Sequence, residues 1–189
     1  MGGFRMSKIP TEKRLLVHTR PIADGLTLLR SLLGVALAGL STAGKNTLSL
    51  AVLLVLSAWI SDFLDGPLAR HDTDHSVTWI GRHDLEADMT AAGGTWIYLW
   101  GSGLIGFPLF LGVSLVSMAL LVWTRSIHVT SAFMAISYGT FLGISLRDVP
   151  SSGALLIGWL IFLVIVTWPR FLYKADEFLK GMRDLFQMK

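Results

Sequence analysis

Along most of the chain, polar positions are rare and apolar ones run on without the period of two or of 3.6 that marks a half-buried strand or surface helix. Long apolar runs cover roughly 26–43, 47–64, 88–105, 107–124, 127–146 and 153–169. Each is close to the 17–25 residues that cross a bilayer as a helix. Only Gly106–Phe107–Pro108 separates the third run from the fourth. Many of the runs are rich in Gly, Ala and Ser, the residues that let membrane helices pack closely. The pattern predicts an all-α integral membrane protein with six transmembrane helices in one bundle. A juxtamembrane segment, 1–25, precedes the helical domain, 26–169, and a basic tail, 170–189, follows it. The first run is too long, and starts too late, for a cleaved signal peptide.

Composition agrees: 52% of the residues are hydrophobic and only 15% charged, against about 25% charged in soluble domains. The absence of cysteine excludes a disulfide framework and a thiolate metal site. Basic residues set the orientation. Arg5, Lys8, Lys13, Arg14 and Arg20 precede the first run, and Arg170, Lys174, Lys180, Arg183 and Lys189 follow the last. Lys45 and Arg147 are the only basic residues in the loops expected on the other side. Both termini are therefore expected in the cytoplasm, where the basic tails meet anionic lipid headgroups. The connection 65–87, with Arg70 and Arg82, falls on that same side. Membrane lipids are thus the expected surroundings, and nothing in the pattern points to nucleic acid.

The acidic residues are not spread evenly. Of thirteen Asp and Glu, seven lie between 62 and 88: Asp62, Asp65, Asp72, Asp74, Asp84, Glu86 and Asp88. At about 100° per residue, Asp62, Asp65 and Ala69 share one helical face, with Gly66 beside them. Asp84 and Asp88, four apart, share a face of the next helix. Two antiparallel helices would turn these four carboxylates toward one another. Gathered at a membrane edge they repel, and some would take up protons unless a cation is present. Hard divalent cations prefer oxygen ligands, and Mg²⁺ is commonly held by a few carboxylates together with substrate phosphates. Asp72 and Asp74 read as solvated loop charges.

The stretch Asp62-x2-Asp65-Gly66-x2-Ala69-Arg70, followed by Asp84-x3-Asp88, resembles the signature of the CDP-alcohol phosphotransferase (CDP-alcohol phosphatidyltransferase) family. "DGLTLLRSLLG" (24–34) is similar to the opening of the first span in many members. The family glycine is expected at position 80, which is Ile80; Gly81 stands one residue later. The resemblance implies transfer of a phosphatidyl group from CDP-diacylglycerol to a hydroxyl acceptor, glycerol 3-phosphate first among the choices, with release of CMP. Inositol phosphate, serine and phosphatidylglycerol are the other acceptors considered. It also implies two Mg²⁺ or Mn²⁺ ions on Asp62, Asp65, Asp84 and Asp88, with Asp88 alternatively the general base. Nucleotide contacts are implied at Asp62, Gly66, Ala69, Arg70 and the displaced Gly81, and an anionic-acceptor contact at Arg125. A homodimer in a prokaryotic cytoplasmic membrane, with the site on the cytoplasmic face, completes the expectation.

Other readings compete. His71, Asp74, His75, His83 and Asp84 would make an N/O site for a transition metal. Intramembrane carboxylates would also suit a small cation transporter, which needs acids near mid-membrane on several helices rather than at one edge. A family member acting as an inactive membrane partner would not need intact aspartates. Arg30, about one turn inside the first span, either pairs with an aspartate or snorkels to the interface. Most tryptophans, Trp59 among them, fall near span ends, where aromatic belts form. Gly93, Gly94, Gly101 and Gly103 suggest close packing along the third span.

Overall fold

The computed structural model describes residues 20–71 and 78–187, with side chains placed for 21–68 and 78–168. The N-terminal basic residues, Asp72, Asp74, His75 and the side chains of Ala69, Arg70, His71 and the C-terminal basic tail lie outside that description. Six α-helices appear among the described residues: α1 (Arg20–Leu40), α2 (Leu48–His71), α3 (Asp84–Gly101), α4 (Phe107–Thr124), α5 (Ile127–Asp148) and α6 (Pro150–Gln187). No strand is found among them.

Among the described residues, five segments are long and apolar enough to cross a membrane: Pro21–Ala43, Lys45–Leu68, Phe107–Thr124, Ile127–Asp148 and Pro150–Trp168. The third predicted span is the exception. α3 starts at Asp84, as the shared helical face of Asp84 and Asp88 requires, four residues ahead of the apolar run. It also stops earlier. Gly103 adopts a left-handed φ of +76°, and the amides of Leu104 and Ile105 fold back onto the Leu99 carbonyl at 2.9 and 3.0 Å. This is a helix-ending turn of the kind glycine favours, and continuous hydropathy through Leu104–Ile105 conceals it. At the other end of the chain, α6 continues for 38 residues, about 57 Å at 1.5 Å per residue. That is well beyond a hydrocarbon core of about 30 Å.

α3 can carry polar groups because it is the innermost helix, packed between α1 and α5. Ala87, Ala91, Ala92, Gly94, Thr95, Trp96, Tyr98 and Leu99 are all buried. α4, by contrast, buries no residue and turns Leu115, Val116, Met118 and Val122 outward, as a lipid-facing helix does. Between helices in a bilayer, close packing and interhelical hydrogen bonds replace the hydrophobic drive. The Ser137 hydroxyl donates to the Ala92 carbonyl at 2.8 Å, Trp96 Nε1 donates to Ser114 Oγ at 3.1 Å, and Thr47 and Tyr98 hydroxyls meet at 3.1 Å.

The tightest contact joins α1 to α3. A Cβ on Gly94 would lie 2.6 Å from the Gly34 carbonyl carbon, and one on Gly34 would lie 2.6 Å from the Thr90 carbonyl carbon. The two backbones therefore touch where Gly34 and Gly94 cross. Gly101 fits against Ser41 in the same interface. Gly93, expected to serve the same purpose, has open space around it. Replacing Gly94 with Val should consequently lower the thermal midpoint in detergent, by the equivalent of about 1–3 kcal/mol of overpacking. Gly93→Ala should leave the midpoint nearly unchanged. Equal midpoints for the two variants would contradict the backbone contact.

Candidate active site

The Gly34–Gly94 crossing has a direct consequence one helical turn away, where α1 presents Arg30. The Arg30 side chain is only 2% exposed, although it lies inside a span. Ionisable groups at such depth face the bundle interior and find partners, and Arg30 has four. Its Nη1 meets Asp62 Oδ1 at 3.0 Å and Asp84 Oδ1 at 3.1 Å, and also contacts Asp88 Oδ1; its Nη2 contacts Asp65 Oδ2. The alternative of snorkelling is thus decided in favour of pairing.

The helical spacing delivers these carboxylates as expected. Asp62 and Asp65 descend from the last turns of α2, and Asp84 and Asp88 from the first turns of α3. The amino end of α3 adds a favourable dipole for the two anions there. Pro67 lies inside α2 and lacks an N–H, so the Phe63 carbonyl, between Asp62 and Asp65, loses its usual helical donor.

The four acids are not equivalent. Asp65 is the most enclosed, with its side chain 11% exposed, and it also accepts a hydrogen bond from Thr27 Oγ1 at 3.4 Å. Asp62, Asp84 and Asp88 are more open, and one ligand oxygen from each lies within 4.8 Å of the others. One guanidinium offsets one of four carboxylates. The excess negative charge and the all-oxygen donor set fit a hard divalent cation. They do not resemble the imidazole-containing N/O site that the histidines would form. His83 instead sends Nδ1 to the Trp79 carbonyl at 2.7 Å and lies against the Trp79 ring, 4.4 Å between centroids. His71, Asp74 and His75 fall outside the described side chains.

Gly66 is half-buried in the last turns of α2, and Ala69 and Arg70 follow it in that helix. Gly81 is exposed in a short 3-10 turn, Ile80–His83. Its amide donates to Thr78 Oγ1 at 3.0 Å, and that hydroxyl donates to Asp24 Oδ1 on α1 at 2.7 Å. Gly81 thus belongs to a clip that fixes the start of α3 against α1. Arg125 caps α4 with a left-handed φ of 47° and is exposed. It stands at the carboxylate end of the bundle, since Met89, next to Asp88, shares a small cavity with Leu121 and Val129. It takes no part in the ion cluster.

Sequence reasoning missed the walls of the site. A cavity of about 220 Å³ is lined by Arg30, Ala58, Trp59, Asp62, Asp88, Met134 and Tyr138. A second, of about 420 Å³, shares Trp59, Asp62 and Tyr138 and is otherwise lined by Phe63, Gly139, Leu142, Leu160 and Leu163. Trp59 and Tyr138 meet edge to face, 5.3 Å between centroids. The position of Trp59, three residues before Asp62 and so on the same helical face, was the available signal. Nothing in the local pattern marks Tyr138.

A model of the CDP-alcohol phosphatidyltransferase family matches residues 20–176. The match covers most of the chain, and the chain belongs to that family. No curated protein matches, and no solved structure does. Membership brings phosphatidyl transfer from a CDP-alcohol to an acceptor within a multi-pass membrane protein.

Each of Asp62→Asn, Asp84→Asn and Asp88→Asn should weaken Mn²⁺ binding by about tenfold or more, a ligand's loss exceeding the usual effect of a supporting group. Arg125→Ala should leave Mn²⁺ binding unaltered. Titration followed by the electron paramagnetic resonance of free Mn²⁺ separates these outcomes.

Proposed function

We propose that the protein transfers a phosphatidyl group from CDP-diacylglycerol to a small hydroxyl acceptor, glycerol 3-phosphate first among the candidates, at the cytoplasmic face of the membrane. The observation that carries this reading is the convergence of Asp62, Asp84 and Asp88, with oxygens within 4.8 Å, in a chain of this family. In this reading these three hold Mg²⁺ or Mn²⁺, with Asp65 supporting the set through Arg30. The bound metal supplies neutralisation of the diphosphate and of the charge that builds on departing CMP.

The chain's own residues account for the remaining needs. Asp88, partly open to the cavity beside Tyr138, accepts the proton of the acceptor hydroxyl. The new bond joins that oxygen to the phosphatidyl phosphorus, and the bond from phosphorus to the CMP oxygen breaks with its electron pair leaving on CMP. Gly66, without a side chain, lets the nucleotide approach α2 closely, and the family signature supports a nucleotide contact for Arg70. Arg125, at the carboxylate end, meets the anionic acceptor. The larger apolar cavity opens from Asp62 and suits the chain-bearing side of a lipid donor. The cytoplasmic placement rests on the distribution of basic residues: the carboxylates lie at the end of the bundle from which α1 starts, and the sequence preceding α1 is rich in Arg and Lys.

The test is CMP release by purified protein with Mg²⁺ or Mn²⁺, CDP-diacylglycerol and a panel of acceptors. Asp88→Ala should cost at least about 10²-fold in turnover, at the low end of general-base contributions. Arg125→Ala should raise the acceptor KM well above its effect on the donor KM. No CMP release with any acceptor, or full activity in Asp88→Ala, would contradict the assignment.

A further inference from the structure

We propose that Arg30 is a resident counter-cation: it holds the carboxylate cluster together before a divalent cation arrives, and it competes with that cation for the same oxygens. This rests on the metal-dependent reading above and adds a role to a residue that reading does not use directly.

Three observations carry it. Nη1 contacts Asp62, Asp84 and Asp88, the same three acids whose oxygens converge within 4.8 Å. Its partners are thus the candidate metal ligands themselves, not residues behind them. Nη2 engages the fourth acid, Asp65, which is enclosed and additionally held by Thr27. The two ends of the guanidinium therefore differ, one on the convergent trio and one on a fixed anchor. Finally, Arg30 Nε is buried with no hydrogen-bond partner among the described residues, so part of the group's donor capacity is not committed to the cluster.

The physical consequence follows from charge. Without Arg30, four carboxylates from α2 and α3 would face one another at close range with no counter-charge among them, a repulsion that ordinarily favours protonation of some. With Arg30, the metal-free cluster assembles, but a dication must then enter beside a fixed positive charge. Two like charges a few Å apart interact by several kcal/mol even at an effective dielectric near 20. Arg30 therefore stabilises the empty site and lowers its metal affinity. When metal takes the trio, Nη1 gives up its contacts there while Nη2 keeps Asp65. The released donors remain on the wall of the 220 Å³ cavity that Arg30 lines, facing the place where an anionic diphosphate would sit.

The test uses full-length protein in detergent and reads Mn²⁺ affinity and melting temperature rather than turnover. Arg30→Gln should bind Mn²⁺ at least about tenfold tighter than the native chain, melt lower without metal, and gain more from saturating Mn²⁺. Arg30→Lys retains charge but not the two-ended fork, and should lie between the two. In Arg30→Ala, low-millimolar guanidinium should raise the metal-free melting temperature and compete with Mn²⁺. Unchanged or weaker Mn²⁺ binding in both Arg30→Gln and Arg30→Lys overturns the proposal and leaves Arg30 as a support for its ligands. If Arg30→Gln does not fold, the Arg30→Lys affinity alone decides. Native protein that releases CMP while Arg30→Gln shows no affinity gain retains the enzymatic reading and loses this one. Native protein that binds no Mn²⁺ overturns both the metal site and this proposal.

Discussion

A single buried guanidinium surrounded by four carboxylates sets the terms for this structure. Charges inside a membrane-spanning bundle persist only where they are paired, and here the pairing ties three helices together: α1 through Arg30, α2 through Asp62 and Asp65, and α3 through Asp84 and Asp88. No other described ion pair links separate helices; Arg147 and Asp148 are chain neighbours at the opposite end. The cluster is therefore both the polar joint of the bundle and its candidate chemical centre. Arg30 and Asp65 are the enclosed members of this network, and loss of either would leave the other without its counter-charge, so the same residues bear on folding and on function.

This joint forms only because α1 and α3 approach to backbone contact. At a usual interaxial distance of about 8–10 Å, side chains would separate the helices at the level of Gly34 and Gly94. The two glycines remove that layer. Arg30, four residues before Gly34, then lies against the first turns of α3, where Asp84 and Asp88 begin the helix. The Asp24–Thr78–Gly81 clip fixes the same helix start from outside the bundle. Small residues and polar residues thus act in sequence along one interface: the first set the distance, and the second use it.

The bundle and the carboxylate constellation were largely legible in the chain, and the reasons are local. Hydropathy over 17–25 residues reports helices that face lipid, and the spacings 62/65 and 84/88 report helical faces. The apolar run 88–105 is offset by four residues from α3 at both ends because this helix faces protein rather than lipid. Its carboxylates hide its start from a hydropathy reading, and the left-handed Gly103 ends it inside an apolar run. Arg30 was ambiguous because snorkelling and pairing have the same sequence signature; only the partner's position separates them. Trp59 looked like a membrane-belt residue although it shares a face with Asp62. Tyr138 and the α6 leucines carry no local signal, since α5 and α6 reach the site through tertiary packing alone. The displaced glycine takes on a different aspect in the structure. Gly81 gives its amide to Thr78, so its described role is to shape the approach to α3.

The two cavities bear on why the carboxylates sit at the edge of the bundle. They share Trp59, Asp62 and Tyr138, yet one includes Arg30 and Asp88 while the other continues along Leu142, Leu160 and Leu163. A polar compartment and an apolar one therefore meet at Asp62, divided by an edge-to-face aromatic pair. A molecule with a charged head and an apolar tail can satisfy both compartments at once, whereas a purely water-soluble molecule would leave the larger one exposed to lipid or water. Under the proposed reading, this geometry would set the depth of the phosphorus that joins the two ends of such a molecule. The convergent carboxylate oxygens, the arginine that balances them and the aromatic divide all stand at that depth, and one helical turn, about 5.4 Å, in either direction would separate them.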